Sequence, residues 1–135
     1  MESIYYDLDS LRDLADEMGF ICALPSSDVL AINLKPNLVL IFENDREGND
    51  TYLGFRNSSW HTHGKLMFSL NGNSSCVEFD ELDIVSGLKS GDVLVCEQYR
   101  DGKLIDRWLT HKESEVDTKY MEPGEELHLR RWSDQ

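Results

Sequence analysis

The chain has 135 residues, one domain's worth, and 40% of them are hydrophobic, enough for a folded core without obligatory disulfide or metal staples. Its 26 acids and 13 bases give a net charge of −13 and a pI near 4.5. Such a surface repels nucleic acid and anionic lipid, whose binding needs a basic patch, and it attracts basic protein.

No uninterrupted apolar run exceeds that of Leu38 to Phe42, far short of the ~20 residues a membrane helix needs. The opening Met1-Glu2-Ser3-Ile4-Tyr5-Tyr6-Asp7 has neither the basic region nor the apolar core of a signal peptide. Cys22, Cys76 and Cys96 are odd in number, widely spaced and without a Cys-x-x-Cys pair. Zinc and disulfide frameworks are therefore poorly supported, and the expected compartment is reduced and cytoplasmic. Nothing in the composition implies a cofactor.

In chain order, Leu8, Leu11, Leu14, Ala15 and Met18 recur at helical spacing, with Asp7, Asp9 or Ser10 as the cap and Gly19 at the end. Phe20 to Leu24 then reads as a strand stopped by Pro25. Val29 to Leu34 and Leu38 to Phe42 follow, joined by a turn at Lys35-Pro36-Asn37. Glu43 to Asp50 reads as a polar loop and Thr51 to Arg56 as a strand. Leu66 to Leu70 and Cys76 to Phe79 form a further pair, turned at Asn71-Gly72-Asn73.

Asp80 to Ser90 predicts a short helix, capped by Asp80, ended by Gly91 and weakened by Gly87. Asp101-Gly102 between Val93–Arg100 and Lys103–Thr110 is the sequence of a two-residue type I′ hairpin. A regular register then sets Tyr99 opposite Leu104, Val95 opposite Trp108, Leu94 opposite Leu109 and Glu97 opposite Asp106. The last pair places like charges together, which is destabilising, and as a carboxylate pair it also raises general acid–base chemistry. Leu127 to Trp132 offers a last edge strand. The expected fold is a single α+β domain over 1–135: a mostly antiparallel β-sheet with an N-terminal helix and a short mid-chain helix packed on it.

The most unusual local cluster is Trp60-His61-Thr62-His63-Gly64. Residues two apart on a strand share a side, so His61 and His63 can bring two imidazoles together as metal ligands do. A third ligand is needed, and Glu43, Glu78, Asp80, His111 and His128 are all open to that role. Ser59 to His63 resembles the metal-binding His-x-His segment of the MPN-domain zinc isopeptidases, which are small mixed α/β domains. That resemblance implies a zinc hydrolase, but Gly64 stands where the family has Pro, and its later Ser and Asp positions fall on Asn71 and Ser74. The cluster reads first as a loop or edge strand with Trp60 packed and the histidines solvated or bonded to backbone, and next as a surface facing a partner or ligand.

Three acidic clusters stand out: Asp45 to Asp50, Asp80 to Asp83, and Glu122 to Glu126. Each serves as a solubilising surface or as a docking face whose opposite potential steers a basic protein. The first lacks the spacing of an EF-hand loop despite Gly48 amid its oxygens. Nucleophilic catalysis has no Gly-x-Ser-x-Gly elbow, and the isolated glycines make no phosphate loop.

In general character the chain resembles the immunity proteins of bacterial polymorphic toxin systems: small, single-domain and acidic. The resemblance implies binding to a toxin domain, such as a basic nuclease, and blocking its active site. The partner-binding residues expected on that reading are Asp45, Glu47 and Asp50 for steering, and Trp60, His61 and His63 with the aromatic as anchor. The alternatives are a zinc-dependent hydrolase on His61 and His63 with Glu43 or Glu78 as base, and a small-ligand-binding domain, which would need a sizeable apolar pocket.

Overall fold

The computed structural model describes residues 4–35, 38–70, 75–114 and 122–131. The fold is α+β, with antiparallel sheets, an N-terminal helix and a mid-chain helix. Among the described residues no helix is long and apolar enough to cross a membrane.

Helix α1 (Leu8–Glu17) starts where Asp7 accepts the backbone N–H of Ser10. It ends at Gly19, whose positive φ lets the N–H of Gly19 reach the carbonyl of Asp16 and that of Phe20 reach Ala15. Those two bonds satisfy the last carbonyls of the helix and turn Phe20 into the core beside Ala15.

A five-stranded meander follows: β1 (Ile21–Ser26), β2 (Val29–Lys35), β3 (Leu38–Asp45), β4 (Asp50–Phe55) and β5 (His61–Thr62), paired in that order. Two boundaries in this meander differ from the sequence expectation by more than one residue. Pro25 lies inside β1 rather than stopping it, which an edge strand with an irregular register allows, because one side of its backbone faces no ladder. β3 runs on to Asp45, so the polar loop shrinks to the turn between Asp45 and Asp50, which pair directly.

One face of the meander supplies Leu30, Ile32, Leu40, Phe42, Leu53 and Phe55 to the core, against Leu8, Leu11 and Ala15 of α1. Asn44 sits buried at its edge. Its side chain accepts the N–H of Tyr6 at 2.8 Å and donates to the carbonyl of Tyr6 at 3.0 Å, fastening the segment before α1 to β3.

β6 (Leu66–Leu70) and β7 (Ser75–Phe79) form a separate hairpin, whose predicted turn at Asn71-Gly72-Asn73 lies outside the described residues. The Lys35-Pro36-Asn37 turn lies partly outside them too. Helix α2 (Glu81–Ser90) opens with a capping box between Asp80 and Asp83 and closes on Gly91 in the left-handed conformation. Gly87 is a packing residue. A Cβ there would stand 2.5 Å from Cγ2 of Val93, so its absence lets α2 approach the next strand.

β8 (Val93–Arg100) and β9 (Lys103–His111) make the expected type I′ hairpin, with φ of 51° at Asp101 and 81° at Gly102. β10 (Glu125–Arg130) pairs with the other side of β8, giving the order β10-β8-β9. Tyr99 faces Leu104 as expected, but the rest of the regular register is wrong. Ile105 is an extra residue bulged out of β9, so Gln98 faces Asp106, Glu97 faces Arg107, Val95 faces Leu109 and Leu94 faces Thr110. One bulge thereby replaces a like-charge pair with an ion pair.

Candidate functional site

β4 and the segment after β5 bring together part of the predicted set. His61 is paired with Gly54 and His63 follows the strand; their rings meet edge to face with centroids 5.2 Å apart. Nδ1 of His61 lies 3.2 Å from the carbonyl of Ser59, and Nδ1 of His63 contacts the carbonyl of Thr51. A carbonyl oxygen only accepts, so both Nδ1 atoms carry hydrogen and Nε2 is the remaining ring nitrogen of each. Nδ1 of His63 also lies 3.4 Å from Oδ2 of Asp50.

This corner is held from below. The hydroxyl of Thr51 accepts the N–H of Gly64 at 2.6 Å, and the Tyr6 hydroxyl donates to the Gly64 carbonyl at 2.7 Å. Burial pushes the Tyr6 phenol up to about 12, so it stays a donor at any physiological pH.

Tyr52 was not among the expected residues, yet it organises the surface. Its side chain lies over Gly54, where a Cβ would come within 2.6 Å of the phenol oxygen, and its ring stacks on His61 at 5.4 Å and 16°. The signal was an isolated glycine inside a strand pattern, which marks close approach by another group.

Asp45 and Asp50 face each other across β3 and β4, both exposed. Asp45 accepts the N–H of Gly48, and Asp50 accepts that of Thr51. Arg46, in the same turn, is directed elsewhere: its Nε donates to Asp28 at 2.8 Å and its guanidinium lies over the Tyr5 ring. Glu47 is exposed in the turn. Trp60 is half-buried, with its ring 6.1 Å from Phe55 and packed against the core, and its backbone N–H donates to Asp106. Much of its apolar surface is thus already used to hold β5.

The residues open to a third metal-ligand role lie in other settings. Glu78 pairs with Lys65, Asp80 caps α2, His111 is buried against Phe68 and Phe79, and His128 contacts Tyr99 and Glu126. Glu43 pairs with Tyr52 across the sheet. Among the described residues no group of three or more His, Cys, Asp and Glu is placed to hold a metal ion. Burial pushes the thiols of Cys22 and Cys96 up to about 11, with nearby Asp16 and Glu97 adding to the effect, so neither is an activated nucleophile.

A cavity of about 340 Å³ lies along α2, lined by Phe79, Asp83, Ser86, Gly87, Ser90 and Asp92. Another of about 170 Å³ lies between the start of α1 and the β3 end, lined largely by polar residues including Asp7, Asp9, Asn44 and Arg46.

No protein-family model matches the chain, and neither a curated protein nor a solved structure matches it.

Proposed function

We propose that this domain is a cytoplasmic protein-binding module of the immunity type, which neutralises a basic protein such as a nuclease toxin domain by covering its active site. The observation that carries this reading is the Asp45–Asp50 pair. Like charges placed directly opposite on neighbouring strands weaken a sheet, and here no cation of the described residues forms an ion pair with Asp45. Three other carboxylates sit in close ion pairs, Glu97 with Arg107 and Arg130, Glu125 with Arg100 and Asp92 with Lys112, so a nearby base is used where one is present. A surplus kept at one end of a sheet, in a chain of charge −13, suits a partner that brings the missing positive charge.

The test is capture of binding proteins from the native host, followed by measured association of the recovered partner. The reading expects one basic protein at one-to-one stoichiometry, whose association slows as salt rises and whose activity is blocked in the complex. Recovery of no basic protein, or of one that keeps its activity when bound, would overturn it.

A second reading, a zinc-dependent hydrolase, rests on the neighbouring rings of His61 and His63 and still needs a third ligand, which no described residue supplies. Stoichiometric zinc that is lost in His61→Ala would support it. Purified protein that binds no zinc while keeping its fold would end it.

A further inference from the structure

The outward side of the five-stranded meander is only partly covered. Its inward side chains belong to the core cluster, whereas Val29, Ile41 and Tyr52 on the opposite side stay half-exposed around the buried Ala31 and Val39. Ile21, at the edge of that same side, is 72% exposed. The outward face is therefore apolar in its middle, and along β3 and β4 it becomes acidic through Glu43, Asp45 and Asp50. Tyr52 lies at the junction, next to Ile41 and Glu43 on the same face and held flat by its stack on His61.

We propose that this outward face is the docking surface, and that its occupant is a basic protein segment that sets an aliphatic side chain on Ile41 and an arginine between Asp45 and Asp50, against the Tyr52 ring. The assignment rests on the basic-partner reading above and gives it a location. Charge complementarity selects the occupant. A second copy of this chain would bring its own acids to the acidic end, whereas a guanidinium offsets part of that charge, can donate to both carboxylates and stacks on an aromatic ring. Lysine supplies the charge without the planar stack. Tyr52 is already immobilised in the free protein, so little side-chain freedom is lost on contact, as in aromatic anchors of binding surfaces. Trp60 is not part of this surface, since its ring packs against the core.

The experiment is residue-resolved NMR titration of the full chain at low salt with three blocked peptides, Gly-Arg-Leu-Arg-Gly, Gly-Arg-Ser-Arg-Gly and Gly-Lys-Leu-Lys-Gly. Saturable shifts are expected at Ile41, Glu43, Asp45, Asp50 and Tyr52. The Arg-Leu peptide should bind roughly fivefold more tightly than the Arg-Ser peptide, the size expected for partial burial of one aliphatic side chain. It should also bind more tightly than the Lys-Leu peptide, and Tyr52→Ser should erase that second preference while Ile41→Ser erases the first. Shifts confined to α1, or to the outer side of the β10-β8-β9 sheet around Trp108 and Leu129, would overturn this location and leave the basic-partner reading standing. Shifts nowhere, with any of the three peptides, would count against both. Sedimentation of the free protein as a dimer that Ile41→Glu abolishes would give the face to a second copy and overturn the proposal.

Discussion

Glu97 on β8 lies directly opposite Arg107 on β9 and accepts its Nε–H at 2.8 Å, while Arg130 from β10 donates to the other carboxylate oxygen. One carboxylate, only 5% exposed, therefore ties the middle strand of the sheet to both neighbours. Burial alone would raise its pKa. The hydrogen bonds and charges of the two guanidiniums more than reverse that, and the group sits below the usual glutamate range.

Removing this carboxylate strands two guanidiniums. Glu97→Ala is expected to cost roughly 3 kcal/mol in urea unfolding, the low end for a broken buried pair because Arg130 reaches solvent. The pH dependence has a definite sign. A depressed folded pKa gives stability that is fully present above the unfolded value, ~4.3, and is lost as pH falls through the folded one. The stability gap between wild type and Glu97→Gln should thus hold steady from neutral pH down to about pH 5.5 and narrow below ~4.3. A gap that widens in acid would contradict the assignment.

Gly87 offers a test of packing against propensity. Alanine normally stabilises a helix interior by about 1 kcal/mol relative to glycine. Here the new methyl would meet Cγ2 of Val93 at 2.5 Å and Cε2 of Phe79 at 3.2 Å. Gly87→Ala should therefore lower stability, by about 1–3 kcal/mol, in thermal or urea unfolding. A gain would show that α2 stands further from β8 than described.

The three cysteines should separate by reactivity. Cys76 is exposed, Cys22 half-buried and Cys96 buried. With thiol pKa values raised to about 11, Cys22 and Cys96 are less than about one part in a thousand thiolate near pH 7.5. Native protein treated with a maleimide should gain one adduct quickly, at Cys76, and two more only on unfolding, as read by mass spectrometry. Comparable rates at all three sites would refute that ordering.

Much of this fold was legible in the sequence because its signals are local. Asp7 and Gly19 bracket α1, Asp80 and Gly91 bracket α2, and Asp101-Gly102 fixes a hairpin, each through backbone chemistry that a few residues suffice to specify. The bulge at Ile105 was not legible. A β-branched strand former carries no turn signal, so nothing local announces that the register slips there. β5 is two residues long, too short for any alternation. The pairing of β10 with β8 is set by Arg130 reaching Glu97 and by cross-strand packing, across a separation in sequence that no local pattern spans. At the candidate site, the nearness of His61 and His63 followed from their spacing. The Tyr52–His61 stack depended on which residues face each other across β4 and β5, and so needed the register.

The facing acids give a prediction in which stability and binding move in opposite directions. Asn at position 45 keeps an acceptor for the Gly48 N–H but removes the charge facing Asp50. Asp45→Asn should leave the fold unchanged or more stable, by up to about 1 kcal/mol, because a directly opposed like-charge pair has gone. The same change should weaken association with a basic partner. Loss of stability in the variant would mean that the pair is not repulsive as placed.

The most direct test of the account is the association rate of the captured partner with wild type, Asp45→Asn and Asp50→Asn, each at low and high salt. The account predicts fast association of the wild type at low salt, a steep fall as salt is raised, and slower association with weaker salt dependence in both variants. A rate indifferent to salt and to both substitutions would contradict the claim that this acidic sheet end exists to meet a basic protein.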